Sequence, residues 1–324
     1  MLPDRISLGS GTQFSVFKYS VMTSDFNGEQ KRDKSHHHKP NTQYYSAAVK
    51  RARFPLPMTG RVDLISDPGA KRQLRNMHLE ILALGHKKLR RHRNIVKLLS
   101  WSRDLNDWHF TPMLVLELAL DNLASFLERI DSDGNQNILS WGLKHMLCLD
   151  IAAGLDALHE NGIVHGDLKT QNVLVFNDDS QAGYVAKLAD FGLAVAETGE
   201  DNEHADDIGG TEGWWAPEVQ QYLANGVTKI KSTLLPKTDC YSLGLVIFST
   251  MFLLGRAVTD SCSPKIRAQV QTKLDVIQKS TDIPHPLSAA LRTALDLLLQ
   301  QDAVERPTPA SHLLNDDSAT YHSW

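Results

Sequence analysis

The sequence has little of what marks secreted, membrane-embedded or disulfide-stabilised proteins. Its three cysteines, Cys148, Cys240 and Cys262, are widely and irregularly spaced, which favours reduced, buried thiols over a disulfide framework or a zinc site. The longest apolar stretch, residues 243–254, contains Ser and Thr and falls well short of the about twenty residues that a membrane-spanning helix needs. It therefore predicts a buried core helix.

Two further absences narrow the class of protein. No apolar run follows Met1, as a secretory signal would require. The net charge of −4 gives no basic footprint for binding nucleic acid. We therefore expect a soluble protein of the cytoplasm or nucleus, with no membrane span and no nucleic-acid partner; the sequence does not indicate its oligomeric state.

What the chain does contain is a change of pattern near residue 120. Before it, short apolar runs and alternation predict strands, with one helical segment in which apolar residues recur at helical spacing from Leu74. The predicted strands lie at residues 6–18 (a hairpin), 44–50, 94–99 and 113–118. After residue 120, apolar residues recur at helical spacing. The predicted helices lie at residues 143–159, 239–254, 264–279, 286–300 and 307–315.

The most informative residues follow this change. Residues 165–172 read His-Gly-Asp-Leu-Lys-Thr-Gln-Asn, and residues 190–192 read Asp-Phe-Gly. Asp167 is a candidate base for a hydroxyl, Lys169 a cation for a phosphate, and Asn172 and Asp190 offer oxygen ligands to magnesium. Phosphoryl transfer depends on positioning and charge neutralisation, and these residue types supply both.

These two motifs strongly resemble those of eukaryotic protein kinase catalytic domains of the Ser/Thr branch. The resemblance implies an α+β, bilobal protein-kinase-like fold, with a strand-rich N-lobe containing one helix and a mostly helical C-lobe. It assigns residues 1–118 to the N-lobe, 119–315 to the C-lobe and 316–324 to a short tail of one kinase domain. It also implies that ATP and Mg²⁺ bind between the lobes, and that the partner is a protein substrate with a Ser or Thr acceptor.

By the same resemblance, Asp167 and Lys169 are catalytic and Asn172 and Asp190 bind the metal. Residues 8–16 are similar to the kinase glycine-rich loop, although Phe14 stands where the family has its third glycine. Glu80 is the only glutamate between Lys50 and Asn94, which makes it the expected ion-pair partner of Lys50. The full set expected to bind ATP is Leu8, Gly9, Gly11, Val16, Ala48, Lys50, Glu80, Glu117, Ala119, Asn172, Leu174 and Asp190.

Later motifs carry further expectations. Residues 210–218, Gly-Thr-Glu-Gly-Trp-Trp-Ala-Pro-Glu, resemble the end of a kinase activation segment, most closely that of the unfolded-protein-response kinase–ribonucleases, of which we carry over the kinase half alone. The resemblance implies that Glu218 pairs with Arg306, that Asp239 fixes the backbone around His165, and that Thr211 bonds Asp167 and Lys169.

Two departures from the family pattern leave alternatives open. Gly166 stands where the family usually has an arginine that helps to capture an activation-loop phosphate, so we expect another route of activation or a constitutively ordered loop. Together with Phe14 it also admits a pseudokinase or scaffold that binds ATP without turnover. His-Gly-Asp further resembles small-molecule phosphotransferases, but Lys169, the Asp-Phe-Gly triplet and the activation-segment motif favour a protein kinase.

Overall fold

The computed structural model describes residues 6–10, 14–22, 44–53, 56–57, 67–106, 109–133, 139–179, 183–196, 209–226, 230–258, 265–279, 285–308 and 310–314. The chain divides into two compact units. The first comprises residues 1–85 and 96–119, and the second comprises residues 86–95 and 120–324.

An antiparallel sheet forms the body of the first unit. Its strands are β1 (Ile6–Ser10), β2 (Phe14–Met22), β3 (Tyr44–Ala52), β4 (Leu56–Pro57), β5 (Leu98–Asn106) and β6 (His109–Glu117). They lie in the order β1-β2-β3-β6, and β6 pairs with β5 along its length and with β4 at its start. Since side chains alternate across a strand, Tyr19, Ala47 and Val49 fall on one face, where they pack with Val115. Val16, Ala48 and Lys50 fall on the other face.

One helix accompanies this sheet in the described part of the first unit. Helix α1 spans Pro68–Gly85. The Asp67 carboxylate accepts a hydrogen bond from the Ala70 N–H at 2.7 Å, and Pro68 occupies the first helical position, where its missing N–H costs nothing. Met77, Glu80 and Leu84 are buried, as their spacing of three and four residues predicts, whereas Leu82 is exposed.

The second unit is mostly helical. Its helices are α2 (Leu123–Ser132), α3 (Trp141–His159), α4 (Pro217–Ala224), α5 (Leu235–Phe252), α6 (Lys265–Gln278) and α7 (His285–Leu298). Its short strands are β7 (Asp121–Asn122), β8 (Ile163–Val164), β9 (Val173–Asn177), β10 (Tyr184–Leu188) and β11 (Val195–Ala196). The predicted change from a strand-rich first part to a mostly helical second part is confirmed.

Helix α5 explains the longest apolar stretch of the sequence. Nearly all of its residues are buried, and a helix that is apolar on every side belongs in the centre of a fold. No helix within the described ranges combines the length and the apolar character that crossing a membrane requires. The prediction of a buried core helix is therefore confirmed.

Two predicted elements were wrong in extent. The strand expected at residues 94–99 begins only at Leu98, because Asn94 is held in a turn by the Asp150 carboxylate at 2.7 Å and the Ala186 carbonyl at 3.0 Å. The helix expected at residues 307–315 is a 3₁₀ turn at Ser311–Leu314. The Asp156 carboxylate accepts the N–H groups of Ala310 and Ser311, each at 2.8 Å, and so fixes where this turn begins.

The cysteines behave as buried thiols where they are described. Cys148 and Cys240 are free and buried, and burial raises the pKa of each thiol to about 12. At neutral pH both are therefore protonated and poor nucleophiles. Cys262 lies outside the described residues.

The predicted Glu218–Arg306 ion pair ties α4 to the region after α7. Two guanidinium nitrogens of Arg306 donate to the two Glu218 oxygens at 2.6 and 2.8 Å, and the Arg306 side chain is 0 % exposed. The guanidinium also donates to the carbonyls of Gln300 and Lys237 and lies 4.8 Å from the centre of the Tyr241 ring. Because the pair is bidentate, buried and satisfied, losing one partner strands a charge.

We predict that Arg306→Leu lowers the free energy of unfolding by about 3–5 kcal/mol, since Glu218 would keep a nearly buried, unpaired carboxylate. Urea-induced unfolding of the full chain measures this loss. The matched control is Arg292→Leu, which removes the more exposed pair between Arg292 and Asp275 and should cost far less. Equal losses in the two variants would show that the Glu218 contact adds nothing.

Candidate active site

Lys50 and Glu80 form a buried ion pair within the first unit. Lys50 lies on β3 and Glu80 on α1, and the Lys50 Nζ is 2.6 Å from the Glu80 Oε2. The two side chains are 7 % and 1 % exposed. Charges so little hydrated interact strongly with their neighbours, so the pair holds the Lys50 ammonium at the face of the sheet. The predicted partner of Lys50 is thus the observed one.

The hairpin β1–β2 carries the residues that resemble a glycine-rich loop. Val16 is paired directly with Lys50 across β2 and β3, and Ala48 lies two residues from Lys50 on the same face. Leu8 is exposed, and beside it the register shifts between Ser7 and Gly9. A methyl group added to Gly9 would meet no atom of the described residues within 4 Å, which leaves room for a ligand beside this backbone as far as those residues go. Gly11 lies outside the described residues.

Glu117 and Ala119 lie at the end of β6 and just after it. The Glu117 N–H donates to the Lys97 carbonyl at 3.1 Å, and its carboxylate accepts from the Lys97 N–H at 2.8 Å. Both residues are half-buried. Leu174, the remaining apolar candidate, is half-buried on β9 in the second unit.

Asp167 and Lys169, the two residues predicted to be catalytic, belong to one hydrogen-bonded group in the second unit. Lys169 Nζ lies 2.7 Å from Asp167 Oδ2 and donates to Thr211 Oγ1 at 2.6 Å. Thr211 in turn donates to Asp167 Oδ1 at 2.8 Å. Asn172 Nδ2 donates to the Asp167 carbonyl at 2.7 Å and to Oδ2 at 3.0 Å. Three side chains from two segments of chain are thus held around a single carboxylate.

A second carboxylate, that of Asp239 on α5, fixes the loop that carries Asp167. Its oxygens accept the N–H groups of His165 at 2.7 Å and Gly166 at 3.0 Å. His159 Nε2 lies 3.0 Å from the same carboxylate, whereas His159 Nδ1 has no hydrogen-bond partner among the described residues. Since Asp239 can only accept, Nε2 carries the proton. The expected role of Asp239 in holding the backbone around His165 is confirmed.

Asp190 lies in a strained backbone conformation. Its φ of 63° and ψ of 69° are left-handed, a region that costs a non-glycine residue energy and is enriched at functional sites. Phe191 and Gly192 beside it are buried, while Asp190 is exposed. The Phe191 ring lies 5.2 Å from the His165 ring, and His165 Nε2 is 3.1 Å from the Ala189 carbonyl. This packing over-determines the turn and holds the strained residue in place.

The donor set of Asn172 and Asp190 fits magnesium. Both offer hard oxygen ligands, which Mg²⁺ prefers. Because the Asn172 Nδ2 donates to Asp167, the amide is oriented and its Oδ1 is the atom left to face a cation. Among the described residues no group of three or more His, Cys, Asp and Glu side chains could hold a metal. Mg²⁺ usually takes one or two protein ligands and completes its shell with phosphate and water.

Gly166 occupies a position that no other residue can fill without rearrangement. Its φ is +75°, and a Cβ built there would lie 2.4 Å from the Leu193 carbonyl oxygen. A Cβ on Gly210 would in turn lie 2.9 Å from the Trp215 Nε1, and one on Gly209 would lie 2.7 Å from the Leu193 side chain. The sequence showed that residue 166 lacks the usual arginine, but it did not predict this close packing. The adjacent glycines Gly209 and Gly210 were the one feature of the sequence that could have indicated it.

We predict that Gly166→Ala lowers the free energy of unfolding by about 3 kcal/mol, from backbone strain at positive φ and from overlap with the Leu193 carbonyl. Gly183→Ala is the matched control, because Gly183 also has a positive φ, +70°, but a methyl group added there would meet no atom within 4 Å in the described part of the chain. It should cost about 1 kcal/mol. Urea titration of both variants measures the difference, and identical losses would refute the contribution of the Leu193 contact.

Comparison with known families agrees with this geometry. Residues 66–318 match the family described as protein kinase domain. Lys50 and the glycine-rich segment precede the matched residues, so their assignment depends on the resemblance of their motifs and on the observed contact between Lys50 and Glu80.

Individual relatives are plant kinases. The chain is 32% identical over 197 residues to the probable serine/threonine-protein kinase PBL25 of Arabidopsis thaliana, covering 59% of this chain and 45% of the relative. It is 36% identical over 182 residues to the probable serine/threonine-protein kinase PBL10 of the same plant, with 53% and 38% covered. For LysM domain receptor-like kinase 3, also from Arabidopsis thaliana, the values are 31% over 200 residues, with 59% and 28% covered, so the matches span less than half the length of these relatives.

The matched residues include the whole Asp167 group, Asp190, and the buried pair between Glu218 and Arg306, so on both sequence and geometry the chain belongs to the protein kinase domain family.

Proposed function

We propose that the chain is an active protein kinase that transfers the γ-phosphate of Mg-ATP to serine or threonine hydroxyls of protein substrates. The observation that carries the proposal is the closed set of hydrogen bonds among Asp167, Lys169 and Thr211. It holds a carboxylate and an ammonium side by side, which is what a reaction between a hydroxyl and a phosphate needs.

The bonding of Asp167 supports its role as the acceptor of the substrate proton. An ionised carboxylate has about four lone-pair sites. Among the described residues, Thr211 takes one on Oδ1, and Lys169 and Asn172 take two on Oδ2. One site on Oδ1 remains for an incoming hydroxyl. Its oxygen would attack the γ-phosphorus, its proton would pass to Asp167, and the bond from phosphorus to the bridging oxygen of ADP would break.

The other residues of the proposal handle charge. Lys169 neutralises the transferring phosphoryl group, and Lys50, held by Glu80, binds the other phosphates. Magnesium, when bound by Asn172 and Asp190, neutralises charge on the phosphate oxygens. The remaining contacts with the nucleotide are proposed to come from Leu8, Gly9, Gly11, Val16, Ala48, Glu117, Ala119 and Leu174. All of these roles come from the family resemblance.

The acceptor class and the setting are proposals of the same kind. Lys169 and Thr211 are typical of the Ser/Thr branch, and the relatives PBL25 and PBL10 carry serine/threonine in their names. A rice relative is named receptor-like cytoplasmic kinase 176, and a cytoplasmic or nuclear location remains our proposal for this chain. The resemblance of residues 210–218 to unfolded-protein-response kinases, and the division into one kinase domain with lobes at 1–118 and 119–315, also stay predictions.

We predict that the purified full chain transfers labelled phosphate from Mg-ATP to itself or to generic protein substrates, and that the label is found on serine and threonine. Asp167→Asn should reduce transfer by about 10²–10⁴-fold, the usual contribution of a positioned base, and Asp190→Asn should abolish it by removing a magnesium ligand. A time course of label incorporation measures the rate, and phosphoamino-acid analysis of the labelled protein identifies the acceptor.

The matched control is Asp275→Asn, a carboxylate that pairs with Arg292 on the surface of α6 and should leave transfer unchanged. Label on tyrosine would exclude the Ser/Thr assignment. Binding of Mg-ATP without any transfer would favour the pseudokinase, and transfer to small hydroxyl compounds but to no protein would favour a small-molecule phosphotransferase.

A further inference from the structure

Phe14, the residue that replaces the third glycine of the family pattern, lies against Lys50. It is the first residue of β2 and is paired with Ala52, while Val16 is paired with Lys50. Residues two apart on a strand share a face, so Phe14 and Lys50 are diagonal neighbours on one face of the sheet, within reach of an aromatic ring and a long side chain. The Lys50 Nζ lies 4.7 Å from the centre of the Phe14 ring.

This distance is that of a cation–π contact. The face of an aromatic ring carries partial negative charge and attracts an ammonium within about 6 Å of its centre. The attraction grows as water is excluded, and the Lys50 side chain is only 7 % exposed. Lys50 is therefore held both by the Glu80 carboxylate, at 2.6 Å, and by the Phe14 ring.

The ring is not simply part of the hydrophobic core. The core cluster of this unit, built around Tyr19, Val49 and Val115 with Phe17 packed against it, lies on the opposite face of the sheet. Phe14 itself is half-buried. Its contact with Lys50 therefore exists on the face that also carries Val16 and Ala48, the residues assigned to the nucleotide.

A ring in this position affects anions. The negative face that attracts the ammonium repels a phosphate, and a phosphate oxygen that bonds the Lys50 Nζ must approach an atom on which the ring already lies. Glycine at residue 14 would place no atoms there. The Phe14 ring and the phosphates would consequently both interact with the positive charge of the Lys50 ammonium.

We propose that Phe14 is a positioning residue that holds the Lys50 ammonium and competes with the phosphates of ATP for it, so that the affinity for the phosphate chain depends on displacing the ring. The inference rests on the proposed function, in which Lys50 binds ATP phosphates. It assigns a chemical consequence to the one glycine-loop departure in the sequence: weaker selection for the triphosphate, with no effect on recognition of the nucleoside.

The experiment compares Mg-ATP and adenosine binding by calorimetry in the wild-type chain and in Phe14→Leu, which retains an apolar side chain but has no π face. We expect Phe14→Leu to bind Mg-ATP about three- to tenfold more tightly, the range that a partly shielded cation–π contact is worth, and to bind adenosine with unchanged affinity. The matched control is Phe17→Leu, an aromatic on the same strand but on the core face, which should change neither affinity.

A second readout tests the contact without any nucleotide. The ring current of Phe14 should shift the NMR signals of the Lys50 Cε methylene upfield; the shift should vanish in Phe14→Leu, persist in Phe17→Leu, and diminish when Mg-ATP is added to the wild type. A merely structural role for Phe14 would not produce this last change.

The outcomes separate the two proposals. Equal or weaker Mg-ATP binding by Phe14→Leu, or an equal gain for adenosine, overturns the competition while leaving the kinase assignment intact. Absence of Mg-ATP binding in both wild type and Phe14→Leu overturns the proposed function and the competition with it. Binding by Phe14→Leu alone supports the competition in its strongest form.

Discussion

The carboxylate of Asp239 is the point on which the geometry of the candidate active site depends. It is 2 % exposed and belongs to α5, a helix that is buried on nearly every side. By accepting the N–H groups of His165 and Gly166, it fixes their backbone relative to that helix. The positions of the next residues, Asp167 and Lys169, are fixed as a result. A catalytic group on a loop is only as well placed as the contacts behind it, and here those contacts are charge-assisted hydrogen bonds in a dry environment.

In the first unit, too, a buried charge holds a functional residue in place, here through an ion pair. Lys50 and Glu80 stabilise each other, yet neither charge would be tolerable alone where so little water reaches it. The position of α1 and the position of the lysine are therefore coupled, since either side chain that moves leaves the other unsatisfied. Phe14 adds a neutral partner to this pair, which eases the burial of the ammonium.

Sequence reasoning succeeded where function demands a fixed set of residue types at fixed spacing. The Asp167 group and the ion pair of Arg306 could be predicted because their motifs resemble those of protein kinases, and the partner of Lys50 could be predicted because Glu80 is the only glutamate between Lys50 and Asn94. It failed where a contact distant in sequence had no motif to indicate it. Apolar residues at 95 and 96 indicated a strand, but the Asn94 side chain donates hydrogen bonds to the Asp150 carboxylate and the Ala186 carbonyl, which hold this segment in a turn. Likewise, no local pattern reveals that Leu193 packs its carbonyl against Gly166.

That last contact has a consequence for substitutions at residue 166. An arginine at residue 166 would place its Cβ 2.4 Å from the carbonyl oxygen of Leu193, so this substitution requires the backbone to shift. The backbone at Leu193 and the conformation of residue 166 would have to change together, each step being unfavourable without the other. The packing of the Leu193 carbonyl therefore favours glycine at residue 166 over any residue that carries a Cβ.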